Sequence, residues 1–254
     1  MYRYVLHLAY NGKAYHGWQR QPGAISVQEV MEECLQRLVE KEINVVGAGR
    51  TDTGVHAADF YLHFDTVSPL PPGEEAQQLL FKINRFLPGD IVVYGLFRAA
   101  TDFHARFSAL SRQYVYRIAR VRDPFAQDFS HEIYGPLDVE AMNRACEILF
   151  AYKDFSCFSK SHTQTKTNNC TIMDAHWKRV GDKLTFTIEA DRFLRNMVRA
   201  IVGTLLEVGK GKMGAEEMHG VIRSKDRGKA GTSVPAQALF LTRISYPPDS
   251  FHPL

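Results

Sequence analysis

Apolar and polar positions alternate from Tyr2 to Tyr10, an aromatic and branched run that ends at the turn pair Asn11-Gly12, which predicts a first strand. A helix follows. Ser26 and Glu29 form a capping box, and Val27, Val30, Met31, Cys34, Leu35 and Leu38 recur behind it at helical spacing. The short apolar run Ile43 to Val46 enters the loop 47–57, after which Phe60, Leu62 and Phe64 alternate with Tyr61, His63 and Asp65. The loop therefore joins two strands. A proline-rich connector over 68–73 leads to a helix with Leu79, Leu80, Ile83 and Leu87 on one face, stopped by Pro88-Gly89-Asp90. Strands are predicted over 91–97 and 113–120, then a helix capped by Asp138 that carries Met142, Ala145, Cys146 and Leu149. Two strands near 171–179 and 183–190, a helix over about 194–208 closed by Gly209, a short helix over 215–223 and a last strand at 239–246 complete the chain.

Strands and helices mix without a regular βαβ alternation, which predicts the α+β class, with an antiparallel or mixed sheet and helices on one side. Each half offers helices beside paired strands, as a diverged copy of the other would. A boundary in the loop between Asp123 and Pro136 separates an N-terminal half, 1–123, from a C-terminal half, 124–254.

Composition narrows the class. The 254 residues are 45% hydrophobic and 23% charged, as in ordinary globular proteins. No uncharged apolar run approaches the roughly 20 residues of a membrane helix, and the first ten residues lack a signal-peptide core. Four cysteines, Cys34, Cys146, Cys157 and Cys170, form no C-x-x-C pair, so they are read as reduced packing residues of a cytoplasmic protein. The net charge of +3 is small, but it is unevenly spread. Arg98 to Arg122 holds six arginines against Asp102, and Arg192 to Lys229 holds nine basic residues against four acids. Phe103, Phe107, Tyr114 and Tyr116 are interleaved with the first stretch, a pattern that suits phosphate pairing beside base stacking as well as a solvated face.

The glycine-rich loop 47–57 is the natural place to look for chemistry. It is not a dinucleotide fingerprint, since Asp52 stands where the third glycine would be, and it is not a P-loop, since Val55 and His56 follow Gly54. Asp52 and His56 would be only two metal ligands, no H-E-x-x-H is present, and no G-x-S-x-G elbow occurs. What remains is Asp52, two residues from Arg50. Such a carboxylate can bond its own backbone amides as an Asx-turn, or can stay exposed and ionised as a nucleophile or general base. His56 reads as a packed histidine entering a strand.

The loop sequence Gly49-Arg50-Thr51-Asp52-Thr53-Gly54-Val55-His56 resembles the signature of the tRNA pseudouridine synthase A family, in which the aspartate is catalytic. Four more blocks in the same order strengthen the resemblance. They are 10–21, from Tyr10-Asn11-Gly12 to Gly17-Trp18-Gln19-Arg20-Gln21; Phe103-His104-Ala105-Arg106-Phe107-Ser108-Ala109; Arg112-Gln113-Tyr114-Val115-Tyr116; and Asn196-Met197-Val198-Arg199 with Ile201-Val202-Gly203. The resemblance implies that Asp52 is the nucleophile, that Arg50 displaces or replaces the target base, that Tyr114 contacts the target uracil, and that Arg199 ion-pairs with the aspartate. Asn11, and the stretch Gln237-Ala238-Leu239-Phe240-Leu241, depart from the family pattern without touching these four residues. Trp18 and Gln19 stay outside the catalytic set, because their block can equally shape the turn after the first strand.

The implied fold is the pseudouridine synthase fold: two ferredoxin-like halves sharing a central antiparallel sheet, with the Asp52 loop in a basic cleft between the halves. The implied reaction is isomerisation of uridine to pseudouridine at positions 38, 39 and 40 of the tRNA anticodon stem-loop, by a homodimer with no cofactor and no metal. Two other classes remain open on the residues alone: an RNA-binding module without catalysis, and a metal- or phosphate-dependent enzyme built on the glycine-rich loop.

Overall fold

The computed structural model describes residues 1–160 and 167–254. Two compact units divide the chain: unit 1 comprises Met1–Leu110 and Leu241–Leu254, and unit 2 comprises Ser111–Phe240. The division by compactness therefore falls after Leu110 and again after Phe240, so position 123 lies inside unit 2. The chain returns to unit 1 at its end, and a single cut in the sequence does not capture that.

Unit 1 holds β1 (Tyr2–Tyr10), α1 (Val27–Leu38), β2 (Val46–Gly47), β3 (His56–Thr66), α2 (Glu74–Phe86) and β4 (Ile91–Ala99). The strand order is β4-β1-β3-β2, all antiparallel. Opposed pairs Tyr4–Phe64, Leu6–Leu62 and Leu8–Phe60 are fully buried and make one layer of the core. Val27, Met31, Cys34 and Leu35 of α1 and Ile83 of α2 are also buried, as their spacing predicts. Ser26 accepts the Glu29 amide at 3.3 Å, so the helix starts where the capping box places it.

Unit 2 contains β5 (Ser111–Ala119), the short β6 (His131–Glu132), α3 (Val139–Leu149), β7 (Ile172–Val180), β8 (Lys183–Ala190), α4 (Met197–Gly209) and α5 (Glu217–Ser224). Its strand order β5-β8-β7, with α3 before β7 and α4 after β8, repeats the order β1-β3-β2 of unit 1. Tyr116, Ile118, Leu184, Phe186 and Trp177 from the strands are buried, as are Met142, Ala145, Cys146 and Leu149 from α3.

Two further strands, β9 (Leu239–Ser245) and β10 (Phe251–Pro253), close the chain, and β10 pairs with β4. Two differences from the sequence reading concern α4. Asn196 sits in the left-handed region at φ 66°, so the helix begins at Met197 and not near Leu194. Gly209 is the last helical residue and does not follow the helix as a cap. The strands β2, β6 and β10 span only two or three residues, too few to leave a periodic pattern. Among the described residues no helix is long and apolar enough to cross a membrane.

Candidate active site

The residues 48–55 between β2 and β3 carry Asp52, and several backbone hydrogen bonds hold them. Ala48 N–H donates to Tyr61 O at 2.8 Å, Trp18 N–H to Thr51 O at 3.3 Å, and Gly54 N–H to Tyr15 O at 3.3 Å. The Tyr10 and Thr51 hydroxyls meet at 2.9 Å, and Val55 N–H closes a turn on Asp52 O at 3.1 Å. His56 is buried, and its Nδ1 accepts the Gly12 amide at 3.0 Å, which agrees with its reading as a packed residue. Within this frame Asp52 is half-buried and Arg50 is exposed.

The loop's neighbour is the segment 11–18, and its glycines explain the closeness. A Cβ at Gly12 would lie 2.0 Å from Val55 O, and one at Gly17 would lie 2.3 Å from Thr51 O. Gly17 also has φ +88°, a conformation that favours glycine. Trp18 packs against Gly47, where a Cβ would come within 2.4 Å of its ring, and on Phe60 with centroids 4.2 Å apart. Gly12, Gly17 and Trp18 thus form the cradle of the Asp52 loop. Sequence reasoning left them unassigned, although their glycine spacing was the available signal.

A second loop of unit 1, 103–107, is anchored by two histidines and an arginine. Ala105 N–H donates to His63 Nδ1 at 3.1 Å, and Arg106 and Phe107 N–H both donate to His104 Nδ1, at 3.1 and 3.3 Å. Arg3 forks onto Asp65 at 2.8 and 2.7 Å and donates to Phe103 O at 2.6 Å. Burial, with the Arg3 charge next, lowers the His63 pKa to about 4, so its acceptor role is secure at neutral pH. The side chain of Phe107 is 75% exposed at the tip, with the Arg106 guanidinium 5.5 Å from its ring centroid.

The remaining two candidate residues belong to unit 2. Tyr114 lies on β5 opposite Ile188, with Phe193 edge-on at 5.2 Å. Arg199 lies in the first turn of α4, where its Nε–H donates to Val234 O at 2.7 Å while its own carbonyl accepts the Val234 amide at 3.2 Å. Its side chain is therefore tied to a backbone group 35 residues on in the sequence. Arg50 and Asp52 lie in one loop of unit 1, and Tyr114 and Arg199 belong to unit 2.

Comparison with known proteins bears on the chain as a whole. A family model described as tRNA pseudouridine synthase matches residues 145–247, the stretch that includes Arg199. The tRNA pseudouridine synthase A of Parabacteroides distasonis is 51% identical over 251 residues, covering 99% of this chain and 98% of that protein. The chain belongs to the tRNA pseudouridine synthase A family. The enzyme of that name from Bacteroides fragilis is 50% identical over 252 residues, 98% of each chain, and that from Porphyromonas gingivalis is 48% identical over 253 residues, 99% of this chain and all of that one. These tRNA pseudouridine synthase A relatives match the chain over nearly its whole length, whereas the family model matches only its C-terminal part. In this family member, no group of three or more His, Cys, Asp or Glu side chains stands ready to hold a metal ion among the described residues. All four cysteines are free and buried.

Proposed function

We propose that this protein is a tRNA pseudouridine synthase that isomerises uridine to pseudouridine at positions 38, 39 and 40 of the anticodon stem-loop, with Asp52 as its catalytic carboxylate. The observation that carries this reading is identity of 48–51% over nearly the whole chain to proteins named tRNA pseudouridine synthase A. The reaction breaks the bond between N1 of the uracil and C1′ of the sugar, turns the base, and joins C5 to the same C1′. The N1–C1′ and C5–H bonds break while the C5–C1′ and N1–H bonds form, the C5 proton being lost and N1 taking one up, so atoms and electrons balance without an oxidant or reductant. Asp52 attacks C1′ or removes a sugar proton, either of which requires an ionised carboxylate. Arg199 supplies the positive charge that favours that form, Tyr114 stacks on the uracil, and Arg50 fills the place the base leaves in the stack.

The backbone frame of the Asp52 loop supports this reading, because a carboxylate fixed through its main chain is pre-organised for a bond-forming step. The repeated strand order in the two units supports ferredoxin-like halves. On the same reading the arginine-rich stretches of a basic cleft hold the phosphates of the tRNA, and the enzyme acts as a cytoplasmic homodimer. The deciding experiment is incubation of the purified protein with an unmodified tRNA transcript, followed by mapping of pseudouridine. Pseudouridine confined to positions 38–40 is the expected result. Its absence, or its formation only elsewhere, overturns the assignment.

A further inference from the structure

Residues 230–235 carry no regular secondary structure, yet they lie directly on α4. A Cβ at Gly203 would fall 1.9 Å from Thr232 O, and one at Gly231 would fall 2.7 Å from the Gly203 carbonyl carbon. One backbone bond, Val234 N–H to Arg199 O at 3.2 Å, ties this strap to α4, and side chains hold the residues before it. Arg227 spans it: Nη1 donates to Gly231 O at 3.1 Å and to Ala230 O at 3.4 Å, while Nη2 donates to Ser233 Oγ at 2.7 Å. Asn196 Nδ2 donates to the same Ser233 oxygen at 2.6 Å, and Gly231 N–H donates to Thr204 Oγ1 at 2.8 Å. The next residue, buried Val234, presents the carbonyl that receives Arg199 Nε–H.

We propose that Arg227 is a positioning residue: by clamping 230–233 it fixes the Val234 carbonyl, and that carbonyl sets the plane of the Arg199 guanidinium. The proposal rests on the assignment of Arg199 to the reaction made above. A guanidinium bonded through Nε is held in one defined plane, which fixes where its two NH2 groups point, as a planar fork needs for bidentate pairing. A strap free to shift would leave the cation present but misdirected. Such a displacement lowers the rate of chemistry without weakening phosphate contacts elsewhere.

The test compares Arg227→Ala, Arg227→Lys and Ser233→Ala with the parent on unmodified tRNA, with thermal melting to confirm folding. The expected result is a fall in kcat of about tenfold to a hundredfold with KM for tRNA nearly constant. Lysine keeps the charge and loses the fork, so Arg227→Lys should be as impaired as Arg227→Ala. Ser233→Ala should give a fall of the same kind, and the double variant should be less than additive. A nitrogen-15 NMR measurement of Arg199 Nε–H, independent of activity, should show faster hydrogen exchange in each variant. Rescue by lysine, or a raised KM with kcat unchanged, would make Arg227 a phosphate contact and overturn the proposal. Unchanged exchange at Arg199 overturns it as well. A parent protein that makes no pseudouridine, with exchange at Arg199 still responding to Arg227, would instead defeat the functional reading and leave the clamp standing. If Arg227→Ala fails to fold, the lysine and serine variants carry the same comparison.

Discussion

Asp52→Asn keeps the size of the side chain and removes its charge, so it separates chemistry from binding. The variant is expected to melt like the parent and to bind tRNA, while pseudouridine formation falls by about a thousandfold or more. A fall within tenfold, only ~1.4 kcal/mol, is too small for a nucleophile or an essential base. On the proposed mechanism, which needs no outside group, parent activity on prefolded tRNA should survive excess chelator; abolition reversed by one transition metal would favour a metalloenzyme instead. The cysteines contrast with Asp52. Burial pushes the Cys34, Cys157 and Cys170 thiols up to about 12, so alkylation by iodoacetamide at pH 8 should be slow in the folded protein and fast in urea. At this scale Asp52 was legible because a motif names it. Arg227 was not, since its partners Gly231 and Ser233 lie in an irregular stretch without a pattern.

Among the elements, the segment after β1 carries the most specific expectation. Gly17 and Gly23 both have positive φ, +88° and +73°, so alanine at either position meets a similar backbone penalty of about 1 kcal/mol. Only at Gly17 does the new Cβ also meet the loop, 2.3 Å from Thr51 O, whereas nothing lies within 4 Å of a Cβ at Gly23. Gly17→Ala should therefore cost about 1–3 kcal/mol more in denaturant unfolding than Gly23→Ala. It should also lower kcat, because Thr51 adjoins Asp52; equal effects of the two variants would refute the cradle. The capped helices α1 and α3 were legible because Ser26 and Asp138 accept the amides of Glu29 and Ala141 as their sequences promise. The start of α4 was not, because the conformation of Asn196 depends on partners such as Ser233, 37 residues away.

Across the whole molecule, pH and salt report on different groups. Burial lowers the pKa values of His63, His104 and His131, so the unfolded chain binds more protons than the folded one as pH falls below the ordinary histidine value. Their contribution to stability is complete above about 6.5 and is lost as pH falls toward the His63 value of about 4. Melting temperature should thus decline between pH 6.5 and 4.5, and His63→Gln should flatten part of that slope. A slope unchanged by this variant would mean that His63 does not titrate as its surroundings require. Salt should act on binding: for about six phosphate contacts the log–log slope of tRNA affinity is roughly −4 to −5, and a flat response would place the arginines off the RNA.

Local chemistry decided what the sequence could determine alone. Alternation and capping fix which residues form β1, α1, β3, α3 and β8, because those signals act within a few residues of their own position. The G-R-T-D-T-G-V-H block likewise pointed to the family, to which full-length relatives also assign the chain. Burial of His63, opposite in strand register to Phe60, Leu62 and Phe64 by alternation, was a tertiary decision, made when the loop 103–107 laid its Ala105 amide on that face. The cradle under Asp52 and the strap that meets Arg199 are of the same kind. Both are close approaches of backbone between distant segments, and they depend on where glycines leave room, which no periodicity along the chain records.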